Sequence, residues 1–206
     1  MLMFSKKQTG FTIVELLIVV VVIAILAAIS VVAYTGIQDR AEVAKTASAV
    51  RAYRDAFVIY KQENGSYPST GGFCLGDQYG IFTGGSSPSC RYSTAPILVT
   101  NGASARNSLK TYMGGQLPMP STKLIMSGST EYVGAHFYGS SYNYTLDASP
   151  VVAIEYYVKG DTCPVGPVYA IVGGSTPAPP AFTTPSVARS GSLSGGSRCF
   201  LLLPND

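Results

Sequence analysis

The chain has 206 residues, of which 47% are hydrophobic and 12% are charged, and its formal net charge is +3. Lys6 and Lys7 supply two of the positive charges, which leaves the rest of the chain nearly neutral at +3 − 2 = +1. There is no basic run of the kind that marks nucleic-acid-binding proteins, so nucleic acid is not indicated as a partner. The length allows one membrane-spanning helix and one soluble domain of ordinary size.

A long apolar segment lies near the start of the chain. It extends from Phe11 to Ala33, and Glu15 is its only ionisable residue. About 20 apolar residues are enough to span a bilayer. The basic residues Lys6 and Lys7 predict a cytoplasmic N-terminus and an extracytoplasmic remainder. A carboxylate inside such a helix is costly, so Glu15 indicates a functional role.

The arrangement of Gly10, Phe11 and Glu15 resembles the N-terminus of the type IV pilin (prepilin) family, in which a basic leader ends in Gly. This resemblance implies cleavage by a prepilin peptidase between Gly10 and Phe11, followed by N-methylation of Phe11. It also implies that the Glu15 carboxylate neutralises the Phe11 ammonium of a neighbouring subunit in a filament. Because removing one member of a buried ion pair leaves the other unpaired, such a pair would set the axial register between subunits.

The sequence departs from the family within the apolar helix. Many pilins have Gly and Pro at the positions that Ala24 and Val32 occupy here, and these breakers help part of the helix to melt in the filament. Without them we expect a helix that continues through residues 24–32. Gly36 is the nearest weak point, because Gly costs about 1 kcal/mol relative to Ala in a helix.

The pattern becomes amphipathic after Tyr34. Apolar residues recur at spacings of three and four, which predicts a helix with one buried face: Val43, Ala47, Val50, Tyr53, Phe57 and Tyr60. The signals end at Glu63-Asn64-Gly65, so one long helix is predicted from Phe11 to Glu63. The segment from Tyr60 to Pro68 also resembles the end of the long helix in many pilins and pseudopilins.

The strand signals come later in the chain. Residues 69–91 are predicted to form a variable loop, and Ala105–Tyr112 a short helix. Three runs rich in Tyr, Val, Ile and Phe predict an antiparallel meander: Thr130–Tyr138, Ser141–Asp147 and Val151–Lys159. Val168–Val172 and Cys199–Leu203 are predicted as edge strands, and Gly173–Ser197 as a long surface loop.

Four cysteines follow the membrane segment: Cys74, Cys90, Cys163 and Cys199. An even number of cysteines in an exported domain predicts two disulfides, for which three pairings are possible. We favour Cys74–Cys90 and Cys163–Cys199, because each closes a local loop. Four buried free thiols are the alternative.

No catalytic constellation is present in the sequence. His136 is the single histidine and stands beside aromatic residues in a predicted strand, where a structural role is favoured. Asp77, Asp147 and Asp161 lie near turns, where aspartates usually bond to backbone rather than to Ca²⁺. We therefore predict no enzyme activity, no cofactor and no metal site.

These observations predict an α+β protein with a type IV pilin-like fold, a long N-terminal helix packed on an antiparallel sheet. The predicted organisation is a leader peptide (1–10), a transmembrane or filament-core helix (11–34), the amphipathic half of the same helix (35–65) and a globular head (66–206). The resemblance implies that the chain sits in the membrane before assembly and in an extracellular pilus afterwards. Its implied partners are other pilin subunits, the prepilin peptidase, an assembly ATPase and a platform membrane protein.

The sequence leaves three alternatives open. A pseudopilin of a type II secretion system shares the N-terminus, although residues 164–205 lack the clustered acids of its commonest calcium-binding form. A minor pilin would act as a binding module, and a membrane-anchored surface protein would never polymerise. An ordinary secretory signal or a plain anchor would leave Glu15 without a role.

Overall fold

The computed structural model describes residues 10–69, 71–81, 87–92, 97–122, 125–127, 130–140, 145–146, 149–150, 152–160, 162–166, 170–172, 181–183, 192–193 and 196–204. The chain divides into two compact units, Met1–Arg40 and Ala41–Asp206. A long helix, α1 (Ile13–Asn64), contributes residues to both units.

α1 is continuous over 52 residues, as the absence of Gly and Pro near Ala24 predicts. Its end is fixed by Gly65, which has a φ of 74° and donates its N–H to the carbonyl of Lys61 at 2.8 Å. A glycine in the left-handed conformation directly after the last helical residue is a common helix stop. The predicted helix end at Glu63 is therefore correct to within one residue.

In the second unit, the last half of α1 packs on a five-stranded antiparallel sheet. The order of the strands is β1 (Phe73–Cys74), β6 (Ala135–Tyr138), β9 (Val152–Lys159), β13 (Gly196–Leu203) and β12 (Ser192–Leu193). Phe57 of α1 stacks on Phe137 of β6 with ring centres 4.6 Å apart, and Phe73 lies 5.0 Å from the same ring. This packing confirms the predicted α+β, pilin-like arrangement of a helix on an antiparallel sheet.

Two smaller sheets and one short helix complete the described part of the head. The second sheet is antiparallel, in the order β3 (Ile97–Leu98), β2 (Ser89–Tyr92), β5 (Thr130–Tyr132) and β4 (Ile125–Ser127). The third has the order β10 (Ala170–Val172), β11 (Ala181–Thr183), β7 (Thr145–Leu146) and β8 (Ser149–Pro150), with β11 and β7 parallel. Helix α2 (Ala103–Lys110) runs into a 3₁₀ turn at Thr111–Met113.

The predicted six-residue buried stripe of α1 is confirmed. Ala47, Val50, Tyr53 and Phe57 are buried in the core, and Val43 and Tyr60 pack partly buried against it. The short helix predicted at Ala105–Tyr112 is found as α2 and the 3₁₀ turn, and the strand predicted at Val151–Lys159 is β9.

The predicted strand Thr130–Tyr138 is wrong as a single element. It is divided into β5 and β6, which belong to different sheets. The break lies at Gly134, which has a φ of 65°. An added Cβ there would lie 2.4 Å from the Tyr79 hydroxyl oxygen, so the chain turns where only glycine fits.

Three further expectations are corrected. The predicted edge strand Cys199–Leu203 is β13, which begins at Gly196 and lies inside its sheet between β9 and β12. The predicted loop 69–91 contains β1 and the start of β2. The predicted loop 173–197 contains β11, β12 and the start of β13. The predicted meander is not formed, because β7 of the run Ser141–Asp147 pairs in the third sheet.

Candidate functional site

The predicted processing site lies directly before α1. Gly10 and Phe11 precede the first helical residue, Ile13, and Phe11 is 79% exposed. An added Cβ at Gly10 would meet nothing within 4 Å. The backbone between Gly10 and Phe11 is therefore in non-helical, exposed chain.

Glu15 forms a capping box with Thr12 at the start of α1. The Glu15 carboxylate oxygen Oε2 accepts the Thr12 backbone N–H at 2.8 Å and the Thr12 hydroxyl at 2.7 Å. In return, the Glu15 backbone N–H donates to the Thr12 hydroxyl oxygen at 3.3 Å. The pattern Thr-x-x-Glu before an apolar run is the sequence signature of this motif, and it satisfies backbone donors that the first turn leaves without helical partners.

The capping box fixes the Glu15 carboxylate at the positive end of the helix dipole, where an anion is stabilised. Both bonds from Thr12, one from its backbone N–H and one from its hydroxyl, use Oε2, while a carboxylate has two acceptor oxygens. Glu15 is exposed in the isolated chain. The carboxylate can therefore cap its own helix and also accept a cation from another molecule.

The first half of α1 exposes large apolar side chains on all its sides. They are Ile13, Val14, Leu16, Leu17, Ile18, Val19, Val20, Val21, Val22, Ile23, Ile25, Leu26, Ile29, Val31, Tyr34 and Ile37. The Ser30 hydroxyl donates to the carbonyl of Leu26 at 2.8 Å, so this polar group is satisfied within the helix. α1 is long and apolar enough to cross a membrane, by length and composition. A helix that is apolar all round needs lipid or other protein around it.

The four cysteines form two disulfides, Cys74–Cys90 and Cys163–Cys199, which are the pairs that the sequence favoured. The first joins β1 of the five-stranded sheet to β2 of the second sheet. The second joins the segment after β9 to β13. Both bonds therefore tie the head together at places that the hydrogen-bonded ladders do not.

The residues weighed for catalysis or metal binding do not form a site in the part of the chain that the structure describes. His136 is fully buried in β6, with Nε2 2.8 Å from Oε2 of Glu155. Asp77 is exposed in a loop, and Asp147 and Asp161 lie outside the described residues. Among the described side chains, no group of three His, Cys, Asp or Glu residues could hold a metal ion.

Sequence reasoning missed two features of these regions. The capping box was encoded in the Thr12–Glu15 spacing, which was interpreted only as an assembly motif. The contacts of buried Glu155 with His136 and Arg198 had no signal in the sequence, because a charged residue in a strand is usually on the solvent side.

Comparisons with known proteins address the N-terminal region. Residues 5–31 match a family model described as the prokaryotic N-terminal methylation motif. A stretch of 68 residues is 35% identical to type II secretion system core protein G of Aeromonas hydrophila, over 33% of this chain and 48% of that protein. The Escherichia coli (strain K12) protein of the same name is 38% identical over 66 residues, 32% of this chain and 46% of that protein.

The Vibrio cholerae core protein G is 38% identical over 65 residues, 32% of this chain and 44% of the relative. The chain thus spans less than half the length of these curated relatives. No solved structure gives a significant match.

The matched motif includes the residues on which the sequence resemblance depends, Gly10, Phe11 and Glu15. The fold agrees with it, since a long N-terminal helix packs on an antiparallel sheet. Residues 5–31 of this chain therefore carry the N-terminal methylation motif of prepilins, and its N-terminal third is similar to type II secretion system core proteins G.

Proposed function

We propose that this chain is a structural subunit of a type IV pilus. A prepilin peptidase cuts it after Gly10, Phe11 is N-methylated, and the first half of α1 polymerises with its copies into a surface filament. The single observation that carries the proposal is the helix of residues 13–37, which is exposed and apolar on all sides and carries one acid, Glu15, in its first turn. Adhesion, twitching motility and DNA uptake are the filament roles to test.

Before assembly, the apolar helix crosses the membrane with its N-terminus in the cytoplasm and the head outside. Assembly moves the helix from lipid to a bundle of identical helices, driven by an assembly ATPase and a platform membrane protein. Since lipid tails are as apolar as the helix surface, burial alone gives little preference for one register. The Glu15 carboxylate, paired with the Phe11 ammonium of a neighbour, supplies that preference.

A pseudopilin of a type II secretion system is the second candidate. The names of the curated relatives favour it, since the Aeromonas, Vibrio and Escherichia proteins are all type II secretion system core proteins G. The same processing and polymerisation would apply, but the filament would serve protein export. The identity covers only about a third of this chain, so it does not extend to most of the head.

The proposal is tested by measuring the intact mass of filaments sheared from the cell surface. We expect one main species that begins at a methylated Phe11. Its mass should lie about four hydrogens below that of the reduced chain, because each disulfide removes two. If the processed chain is found only in the membrane, and its deletion abolishes protein export, the pseudopilin function replaces the pilus function. A chain that retains residues 1–10 would contradict both.

The role of Glu15 is tested by comparing Glu15→Gln with Glu15→Ala. Gln at this position retains the capping box but loses the charge, whereas Ala loses both. We expect filament yield to fall about tenfold or more in both variants, because each leaves the Phe11 ammonium without its counter-ion in the assembled core. Sheared filaments are quantified against total subunit in the membrane.

The matched control is Thr12→Val, which weakens the cap but keeps the carboxylate. We expect filaments to form in this variant. If Glu15→Gln assembles normally and Thr12→Val does not, Glu15 acts only as a helix cap and the charge-pair mechanism is wrong.

A further inference from the structure

The two faces of the five-stranded sheet differ in their chemistry. The face toward α1 is apolar, with Phe137, Ile154 and Leu201 in its core. On the opposite face, His136 of β6 lies directly across from Glu155 of β9, and Arg198 of β13 reaches the same carboxylate. His136 and Glu155 are both fully buried, which is rare for ionisable groups and costly unless they are paired.

The second sheet covers this cluster with aromatic and cationic side chains. The ring of Tyr132 in β5 lies 4.5 Å from the ring of Tyr157 in β9, and the Arg198 guanidinium lies 5.8 Å from the centre of the Tyr132 ring. The Arg91 guanidinium of β2 donates to the Tyr138 hydroxyl at 2.7 Å. The contact between the two sheets is therefore built around a buried charge cluster.

The charges of the cluster do not balance if His136 takes up a proton. The ionisable groups around His136 are Tyr138 on its own strand, Glu155 and Tyr157 on β9, Arg198 on β13, Arg91 on β2 and Tyr132 on β5. One carboxylate already faces two guanidinium groups, so neutral His136 leaves an excess charge of +1. Protonation would raise it to +2 around the fully buried pair of His136 and Glu155.

Burial accordingly lowers the pKa of His136 below its ordinary value, and the charges of Arg91 and Arg198 act in the same direction against Glu155. The pKa of Glu155 is also lowered, because Arg198 and His136 together outweigh the effect of burial. Both groups then favour the folded head at neutral pH. The His136 contribution is lost first as the pH falls below the unfolded value of about 6.5.

We propose that His136 is a pH-dependent switch that controls the contact between the five-stranded sheet and the second sheet of the head. When His136 is neutral, no water enters between His136 and Glu155, and the second sheet stays packed on the five-stranded sheet. With His136 protonated, the excess positive charge is relieved by admitting water, which separates Tyr132 from Tyr157 and releases β5. The Cys74–Cys90 disulfide keeps β2 attached to β1, so the opening is local to β5 and the neighbouring β4.

The chain makes this proposal easy to test, because His136 is its only histidine. Amide hydrogen exchange of the full mature chain in detergent is measured at pH 7.5 and 5.0 and expressed as protection factors. We expect protection in β5 (Thr130–Tyr132) to fall about 30-fold, since a group with an opened-state pKa of about 6.5 is mostly protonated at pH 5.0. The α1 segment from Val50 to Phe57, whose core is apolar, serves as the internal reference and should not change.

His136→Gln is the matched variant, because Gln keeps a polar side chain toward Glu155 and does not titrate. Its β5 protection should be the same at both pH values. Equal falls in the native chain and in His136→Gln would overturn the proposal and leave the cluster with a structural role only.

If His136→Gln does not fold, the imidazole signal of the native chain is followed by NMR. We expect it not to titrate until β5 loses protection. A pKa of 6.5 or above for the imidazole, measured while the β5 amides stay protected from exchange, would equally contradict the proposed switch.

Discussion

The two halves of α1 share one backbone but differ in what covers their apolar side chains. In the first half, Leu17 is 57% exposed and Leu26 is 59% exposed. In the second half, Val50 and Phe57 have no exposed surface, because they pack on the five-stranded sheet. The difference follows from sequence pattern: the first half is almost entirely apolar, with Glu15 and Ser30 among few polar residues, whereas the second has apolar residues at spacings of three and four.

This difference separates two kinds of energy along one helix. Apolar surface buried inside the head stabilises the folded chain by itself, at about 25 cal/mol per Å². Exposed apolar surface does not stabilise the isolated chain, and it contributes a favourable free energy only when lipid or another subunit covers it. Substitutions in the first half should therefore affect insertion and assembly, and those in the second half should affect the stability of the head.

The largest expected contrast is between Phe57→Ala and Leu17→Ala. Phe57 stacks on Phe137 in the core, so truncation should lower the free energy of unfolding by about 3–5 kcal/mol. Leu17→Ala should change it by less than about 0.5 kcal/mol, because the side chain is exposed. Denaturant unfolding of the head in detergent, followed by tyrosine fluorescence, measures both. Similar losses of unfolding free energy in the two variants would contradict the separate energetic roles of the two halves of α1.

A smaller effect is expected at Thr46, a fully buried polar residue in the second half of α1. Its hydroxyl oxygen accepts the backbone N–H of Ser121 at 3.0 Å. Thr46→Val keeps the shape but removes this acceptor, so the free energy of unfolding should fall by about 1–3 kcal/mol. Thr46→Ser keeps the hydroxyl and is the control, with a smaller loss from one missing methyl group. A Val variant as stable as the native chain would show that this bond is not needed.

The sequence was sufficient to predict α1 and its buried stripe because both are encoded locally. The spacing from Val43 to Tyr60 and the Asn64-Gly65 stop need no knowledge of the sheet. The split between β5 and β6 could not be predicted, because the need for Gly134 comes from the distant Tyr79 hydroxyl.

The interior position of β13 was missed for a similar reason. Strand order depends on which ladders meet in space, and Arg198 in this strand reaches a carboxylate on the neighbouring strand β9. Its partner Glu155 is 43 residues away, so neither residue carries a local signal of burial.

The smallest and sharpest contrast concerns Gly36 inside α1 and Gly65 directly after its last residue, which should respond to Ala in opposite ways. Gly36, in the first half, has no atom within 4 Å of an added Cβ, so Ala should stabilise the helix locally by about 1 kcal/mol. Gly65, at the end of the second half, has a φ of 74°, and Ala would be strained there by about 1–2 kcal/mol.

Amide exchange around residue 36 should slow about fivefold in Gly36→Ala, while the unfolding of the head stays unchanged. Gly65→Ala should instead lower the free energy of unfolding of the head, because it weakens the stop that directs the chain from α1 into the sheet. If Ala changed stability in the same direction at both positions, the two halves of α1 would not have the separate energetic roles inferred from their exposure.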